Sequence, residues 1–202
     1  MKRTAIKEEI RKAILAERGA IDPETAALAS QVICRKLMDI DIYEEAEDIC
    51  LYMPYNNEVD VMLLAEVAEK QGKRIWVPKV LKKPVRTGGE KTISHAGEMV
   101  FNRYLGSNAG KVTEGAYGII ESTSDEILEP GDNTLLILPG AVYTPWRERI
   151  GYGGGFYDRY LTKYPMCKTI GVCYDLQLVD ELPVEEHDIK PDYVVCESGI
   201  YR

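Results

Sequence analysis

Between residues 149 and 160 the chain reads RIGYGGGFYDRY, with glycines at 151, 153, 154 and 155, tyrosines at 152, 157 and 160, a carboxylate at 158 and guanidinium groups at 149 and 159. Glycine lacks a Cβ, so the chain can turn through positive φ and consecutive backbone N–H groups can close on an anion. Arg149 and Arg159 can neutralise phosphate oxygens, Tyr152 and Tyr157 can stack on a ring or hydrogen-bond to it, and Asp158 can hold a magnesium ion that bridges phosphates. The mixture suits a nucleoside triphosphate. Glycine counting alone leaves a purely structural strand-to-helix turn open, and Asp158 read alone can equally cap the helix and pair with nearby arginines. Two named phosphate loops do not fit. The dinucleotide fingerprint G-x-G-x-x-G meets Phe156 when started at Gly151 and Asp158 when started at Gly153, and no Gly-Lys-Ser/Thr triplet occurs.

Two further cations, Lys7 and Arg11, stand four residues apart on one face of an N-terminal helix, where like charges cost about 0.2–0.5 kcal/mol. An anion between them would relieve that; a solvated basic face eased by Glu8 is the alternative. Glu58 follows one apolar run and precedes a helical one, which puts it at the same kind of strand end as the glycines. Asp60 reads as the N-cap of that helix. The formal charge of −8 argues against a general nucleic-acid binder. Cys34, Cys50, Cys167, Cys173 and Cys196 form no C-x-x-C pair and read as reduced core residues. With His95 and His187 as the only histidines, zinc is not expected.

The elements that must position these residues follow from periodicity. Residues 4–18 place Ile6, Ile10, Ala13 and Ile14 on one face, with Lys7, Arg11, Lys12 and Arg18 elsewhere. Asp22-Pro23-Glu24 then caps a second helix running to about Met38, so the chain opens with a helical pair. Short apolar runs follow at DICLYMP (48–54), RIWVPKV (74–80), TLLILPG (134–140), KTIGVCY (168–174) and DYVVCE (192–197), and a helix is expected over Val59–Lys70. Strands apolar throughout, alternating with helices, predict an α/β fold: an open, mostly parallel twisted sheet with helices on both faces, three-layer αβα and Rossmann-like, in a single domain over residues 1–202. The 81–125 region, with LKKPVRTGGEKTIS and MVFNRYL, reads as an insertion over the sheet. No apolar run approaches the ~20 residues of a membrane helix, and MKRTAIKEEIRKAIL lacks a secretory core, so a cytoplasmic protein is expected.

Around the glycines, LPGAVYTPWRERIGYGGGFYDRYL resembles the signature of the 5-formyltetrahydrofolate cyclo-ligase (methenyltetrahydrofolate synthetase) family, P-G-x-x-F-D-x-x-G-x-R-[LI]-G-x-G-x-G-[YF]-Y-D-R-x-L. Pro139, Gly140, Arg149, Ile150, Gly151, Gly153, Gly155, Phe156, Tyr157, Asp158, Arg159 and Leu161 match. The likeness spans nearly the whole chain: Lys7, Ile10 and Arg11 in the first helix, Tyr52 to Asp60, Gly72 to Pro78, Tyr117 to Glu121, and His187, Asp188 and Asp192 near the end. Three departures stand out. Tyr143-Thr144 replaces the usual Phe-Asp, Arg147 the usual glycine, and Ser122 the proline of a Glu-Pro pair.

The resemblance implies an enzyme that converts ATP and 5-formyltetrahydrofolate to 5,10-methenyltetrahydrofolate, ADP and phosphate, by phosphorylating the formyl oxygen and letting N10 attack. It implies that Lys7, Arg11, Arg149, Ile150, Gly151, Tyr152, Gly153, Gly154, Gly155, Phe156 and Tyr157 bind ATP. Met53 and Glu58, with Tyr152, Gly153, Gly154, Gly155 and Phe156, would bind the reduced folate. Arg149 and Tyr152 would act in catalysis, and Asp158 and Asp188 would hold Mg2+. Tyr143, Trp146, Asp60 and His187 receive no catalytic role. A monomer working on small molecules, without nucleic acid or membrane, is expected. An ATP-dependent ligase or kinase acting on another small acid, or a non-catalytic nucleotide- or folate-binding regulator, are the alternatives.

Overall fold

The computed structural model describes residues 2–81, 97–106, 112–114, 120–183, 185 and 188–202. Most of the LKKPVRTGGEKTIS stretch, Tyr117 and His187 lie outside the described residues. Helix α1 (Lys2–Gly19) is followed by α2 (Pro23–Met38). Asp22 caps α2, its carboxylate accepting from the Thr25 N–H, with Pro23 at the first helical position. A short α3 (Asp41–Glu45) leads into β1 (Asp48–Cys50).

After β1 comes α4 (Leu63–Lys70), four residues shorter at its start than the periodicity suggests. Residues 59–62 form a turn in which the Asp60 carboxylate accepts from the Met62 N–H, so Asp60 closes the turn before the helix rather than capping it. Next come β2 (Arg74–Leu81), β3 (Glu98–Arg103), β4 (Val112–Glu114), β5 (Ile120–Ser122) and β6 (Thr134–Leu138). A small hairpin of β7 (Val142–Tyr143) and β8 (Arg149–Ile150) precedes α5 (Phe156–Lys163) and β9 (Lys168–Val172). A 3-10 turn (Asp175–Gln177), β10 (Tyr193–Val195) and β11 (Ile200–Tyr201) complete the order.

Seven strands form one sheet in the order β11-β10-β9-β6-β1-β2-β3. The five central strands are parallel, and the two edges, β3 and β11, run antiparallel to their neighbours. MVFNRYL thus contributes an edge strand of the main sheet, paired from Trp76↔Arg103 to Leu81↔Glu98, where the sequence suggested an insertion lying over it. Alternate residues of β6 serve opposite faces. Leu135 and Ile137 pack with Ile33, Leu37, Leu64 and Ala68 from α2 and α4, while Leu136 and Leu138 pack with Tyr160 and Leu161 of α5. Burying each such side chain favours folding by roughly 1.5–3 kcal/mol, which is why strands covered on both faces are apolar at every position.

The two opening helices diverge. α2 packs on the sheet, whereas Ile10, Ile14 and Leu15 of α1 rest on Ala141, Val142, Ile150 and Leu182, the cluster built by the β7–β8 hairpin. That hairpin is wedged onto the sheet by Tyr143, which is fully buried and donates its hydroxyl proton to the Leu138 carbonyl at 2.7 Å. The ring occupies space that a Cβ on Gly140 or Gly171 would need, at 2.6 and 2.5 Å respectively. At the hairpin tip, Thr144 and Glu148 close a loop in which Arg147 N–H donates to Thr144 O, and Arg147 has φ 65°. This is the left-handed bulge position that glycine fills without strain. Arg147 accepts the strain while its guanidinium donates to the Pro191 and Asp192 carbonyls.

Two stability predictions follow from this wedge and turn. Gly171→Ala should lose about 1–3 kcal/mol in urea unfolding, because the buried Tyr143 ring has nowhere to retreat; a loss under ~0.3 kcal/mol would show the wedge to be loose. Arg147→Val should cost about 1–2 kcal/mol, while Arg147→Gly stays within about 0.5 kcal/mol of the parent. Equal losses for the two substitutions would mean that the guanidinium contacts, not the backbone, set the cost.

Candidate functional site

Counting only the parallel strands, the order β2-β1-β6-β9-β10 reverses direction between β1 and β6. Loops leaving two such neighbours diverge and open a crevice at their carboxyl ends, which is where open α/β sheets place ligands. The loop after β1 carries Met53 and Glu58, and the chain after β6 carries Arg149 and the glycines. α1 lies alongside and sends three cations toward this edge.

Arg11 donates from Nε to the Gly151 carbonyl at 2.8 Å, and Arg159 donates to the Gly154 carbonyl at 2.9 Å. Gly153 and Gly155 have φ of 92° and 62°. A Cβ at 155 would meet the Arg159 guanidinium at 2.8 Å, and one at 154 the Phe156 ring at 2.9 Å. Guanidinium groups therefore hold two carbonyls of this loop, those of Gly151 and Gly154. None of the N–H groups of residues 151–155 donates to an acceptor among the described residues. Gly155 starts α5 in the left-handed conformation with no side-chain cap, so the first-turn amides of α5 also lack a capping oxygen. Amides with the carbonyls tied back, at a helix N-terminus, are suited to phosphate.

Arg149 is buried and donates from Nη1 to Pro139 O at 3.2 Å and from Nη2 to Asp158 Oδ1 at 2.5 Å. Its Nε is buried with no hydrogen-bond partner, an unmet donor inside the site. Lys7 donates to Asp188 Oδ2 at 2.6 Å and to Glu185 Oε2 at 3.1 Å. Burial works to lower the Lys7 ammonium, but the Asp188 and Glu185 carboxylates outweigh it and hold its pKa above the ordinary value. Each aspartate expected to face a metal thus lies against a cation expected to face phosphate. Among the described residues no group of three or more His, Cys, Asp or Glu could form a cage of its own. The donor set still fits Mg2+, which is commonly held by one or two carboxylates with substrate phosphates and water completing the shell.

At the other end of the glycine loop, Tyr152 donates its hydroxyl proton to Glu58 Oε1, and Glu58 Oε2 accepts from the Tyr55 N–H at 2.9 Å. Burial pushes the Glu58 carboxyl up, against the opposing effects of Tyr152, the Tyr55 amide and Arg18. Burial and the Glu58 charge together hold the Tyr152 phenol well above the usual tyrosine range. The structure adds a residue that periodicity left among the outward-facing charges. Arg18 is 2% exposed and donates to the same Tyr152 hydroxyl at 2.5 Å and to Asn56 O at 3.2 Å. The signal was present in the spacing: at 100° per residue, Lys7, Arg11 and Arg18 fall within about 40° of one another.

The remaining expected site residues scatter. Ile150 buries its side chain under α1 and gives its carbonyl to the Ala141 N–H, so the side chain is part of the core. Met53 is half-buried against the α2 side of the sheet. Phe156 lies beneath the Arg159 guanidinium, 4.9 Å from it, and Tyr157 packs on the α5 side, where burial raises its phenol strongly. Trp146 stands 69% exposed at the hairpin tip.

Comparisons with known proteins bear on the chain as a whole. The model of the 5-formyltetrahydrofolate cyclo-ligase family matches residues 3–197. An Escherichia coli K12 protein named 5-formyltetrahydrofolate cyclo-ligase is 29% identical over 189 residues, covering 92% of this chain and 97% of that protein. A Schizosaccharomyces pombe protein named probable 5-formyltetrahydrofolate cyclo-ligase is 26% identical, with 97% of each chain covered. Among solved structures, an Aquifex aeolicus 5,10-methenyltetrahydrofolate synthetase superposes with a TM-score of 0.79 at 27% identity, over 98% of this chain and 92% of that one. A family match from residue 3 to residue 197, carried through a shared fold, places this chain in the 5-formyltetrahydrofolate cyclo-ligase family.

Proposed function

We propose that the chain catalyses the ATP-dependent cyclisation of 5-formyltetrahydrofolate to 5,10-methenyltetrahydrofolate, releasing ADP and phosphate. The observation that carries this reading is the glycine loop, with its Gly151 and Gly154 carbonyls held by Arg11 and Arg159 and its amides without acceptors among the described residues. ATP phosphates would take those amides together with Arg149, Lys7 and Arg11. The folate would lie toward Glu58 and Met53, with Tyr152 and the glycines between the two substrates. The unmet Arg149 Nε supports a further acceptor arriving with the ligand.

The formyl oxygen attacks the γ-phosphorus; the new O–P bond forms as the bond to the ADP oxygen breaks. N10 then bonds to the activated carbon and gives up its proton, and phosphate leaves with the C–O electron pair. Arg149 and the loop amides stabilise charge on the transferring phosphoryl group, and Tyr152 orients the formyl end, so catalysis is mostly positioning and electrostatics. Asp158 and Asp188 would hold Mg2+, which when bound neutralises phosphoryl oxygens. The reading extends to a monomer acting in the cytoplasm on small molecules alone. The net charge of −8 supports the lack of a nucleic-acid partner.

Mixing protein, magnesium, ATP and 5-formyltetrahydrofolate should produce the methenyl chromophore, and chelation by EDTA should stop it. Arg149→Lys should lower kcat by about 10²–10³. Magnesium-dependent ATP hydrolysis stimulated only by another acid, or nucleotide binding without turnover, would exclude the assignment. A second expectation concerns pH. Burial raises Glu58 above the ordinary 4.5, so folate kcat/KM should fall as pH drops through a value above 4.5 and the carboxylate takes up a proton. Glu58→Gln should erase that acid limb; an unchanged limb in this variant would assign it to another group.

A further inference from the structure

Arg18 is one of the largest side chains fully removed from solvent, yet it carries a charge that cannot be given up. A buried guanidinium has to find a counter-charge or hydrogen-bond acceptors. Its Nε–H meets the Asn56 carbonyl in the loop after β1, and its Nη1 meets the Tyr152 hydroxyl in the glycine loop, with the ring 5.6 Å from the guanidinium carbon. The carboxylate that balances it, Glu58, lies on the far side of that hydroxyl. A phenol has one proton. Here it goes to Glu58, so the oxygen must accept from Arg18, and the direction of both bonds is set.

We infer that Arg18 is a positioning residue for the folate end of the site, fixing Tyr152 over the crevice and, through its hydroxyl, holding Glu58 as a charged acceptor. This rests on the reading that Tyr152 and Glu58 meet the folate. A mere anchor for the end of α1 would need only the contacts to the β1 loop, which Asn57 also supplies by donating to the Arg18 and Ile21 carbonyls. The bond to Tyr152 adds nothing to that anchoring; it ties the helix to a residue that is itself 45% exposed and faces the crevice. The groups facing Glu58 are Arg18 of α1, Tyr152 of the glycine loop, Tyr52 after β1, Tyr143 of β7 and Tyr157 of α5. Arg18 is the one cation among them. Its removal therefore leaves a half-buried carboxylate surrounded by neutral phenols.

The test compares the parent with Arg18→Met, of similar length, and Arg18→Lys, which keeps the charge but loses the fork, after circular dichroism has verified folding. With 5-formyltetrahydrofolate varied across pH, Arg18→Met should raise the folate KM by about tenfold or more while the ATP KM moves less than about twofold. The acid limb of folate kcat/KM should move to higher pH in Arg18→Met and stay near the parent's in Arg18→Lys. Equal changes in both KM values, or an unmoved limb, would reduce Arg18 to a helix anchor. A readout free of turnover separates this from the function itself: the side-chain carboxyl 13C shift of Glu58, assigned through Glu58→Gln and titrated by NMR. A higher Glu58 pKa in Arg18→Met supports the inference even if the parent forms no methenyl product, and an identical titration overturns it whatever the reaction.

Discussion

α1 lies across the carboxyl ends of the strands and ties together three segments remote in sequence: Lys7 reaches Asp188, Arg11 reaches Gly151 and Arg18 reaches Asn56. The charged stripe does not hold the helix there. Ile10, Ile14 and Leu15 do, by covering Ala141, Val142, Ile150 and Leu182. Burial of such side chains contributes roughly 1.5–3 kcal/mol each, against about 0–1 kcal/mol for partly exposed ion pairs. Because the apolar seam fixes the helix, its cations can change partners without moving the backbone. That separation of tasks lets one element brace the scaffold and present cations to the crevice.

The same comparison of magnitudes bears on how the site is poised. Lys7 is paired with Asp188 and Glu185, and Arg149 with Asp158. The Asp158 side chain is 37% exposed and the Glu185 side chain 38%, so water screens these two carboxylates, whereas Asp188, at 22%, is held more closely. A multiply charged phosphate bound by amides in a drier environment interacts more strongly with each cation than a solvated carboxylate does. These pairs leave the site locally neutral. Arg149 differs from Lys7: its guanidinium is buried and its Nε has no partner, so it gains a hydrogen bond wherever an acceptor enters.

Much of this was legible in the sequence because the signals were local. The cap at Asp22, the five apolar runs, and the glycines before α5 each depend on a few neighbouring residues. Features set by tertiary contacts were not. The start of α4 slips to Leu63 because Val59 and Val61 are drawn into the core and Tyr52 donates its hydroxyl to Val59 O, outside any helical pattern. β3 carries Glu98, Asn102 and Arg103 among its apolar residues and joins an edge, where one-sided burial weakens the apolar signal. Arg18 was hidden for the opposite reason. A charge on an amphipathic helix is normally solvated, and only the three-turn alignment with Lys7 and Arg11 hints that it faces the protein.

The departures from the family signature sit in the scaffold. Tyr143 and Thr144 are both fully buried, one bonded to the Leu138 carbonyl, the other accepting from the Glu148 N–H within the hairpin turn. Ser122 is buried as well, donating to the Arg103 carbonyl and accepting from the Ser124 N–H. Arg147 occupies the left-handed position of the turn and points its guanidinium to Pro191 and Asp192. All four substitutions are therefore absorbed by backbone groups of their own chain. Tyr143, Thr144 and Arg147 brace the β7–β8 hairpin that carries Arg149 and on which α1 rests, so they act on the crevice through its frame. The chain thus matches the signature through the glycine loop and departs from it in residues whose side chains brace the surrounding frame.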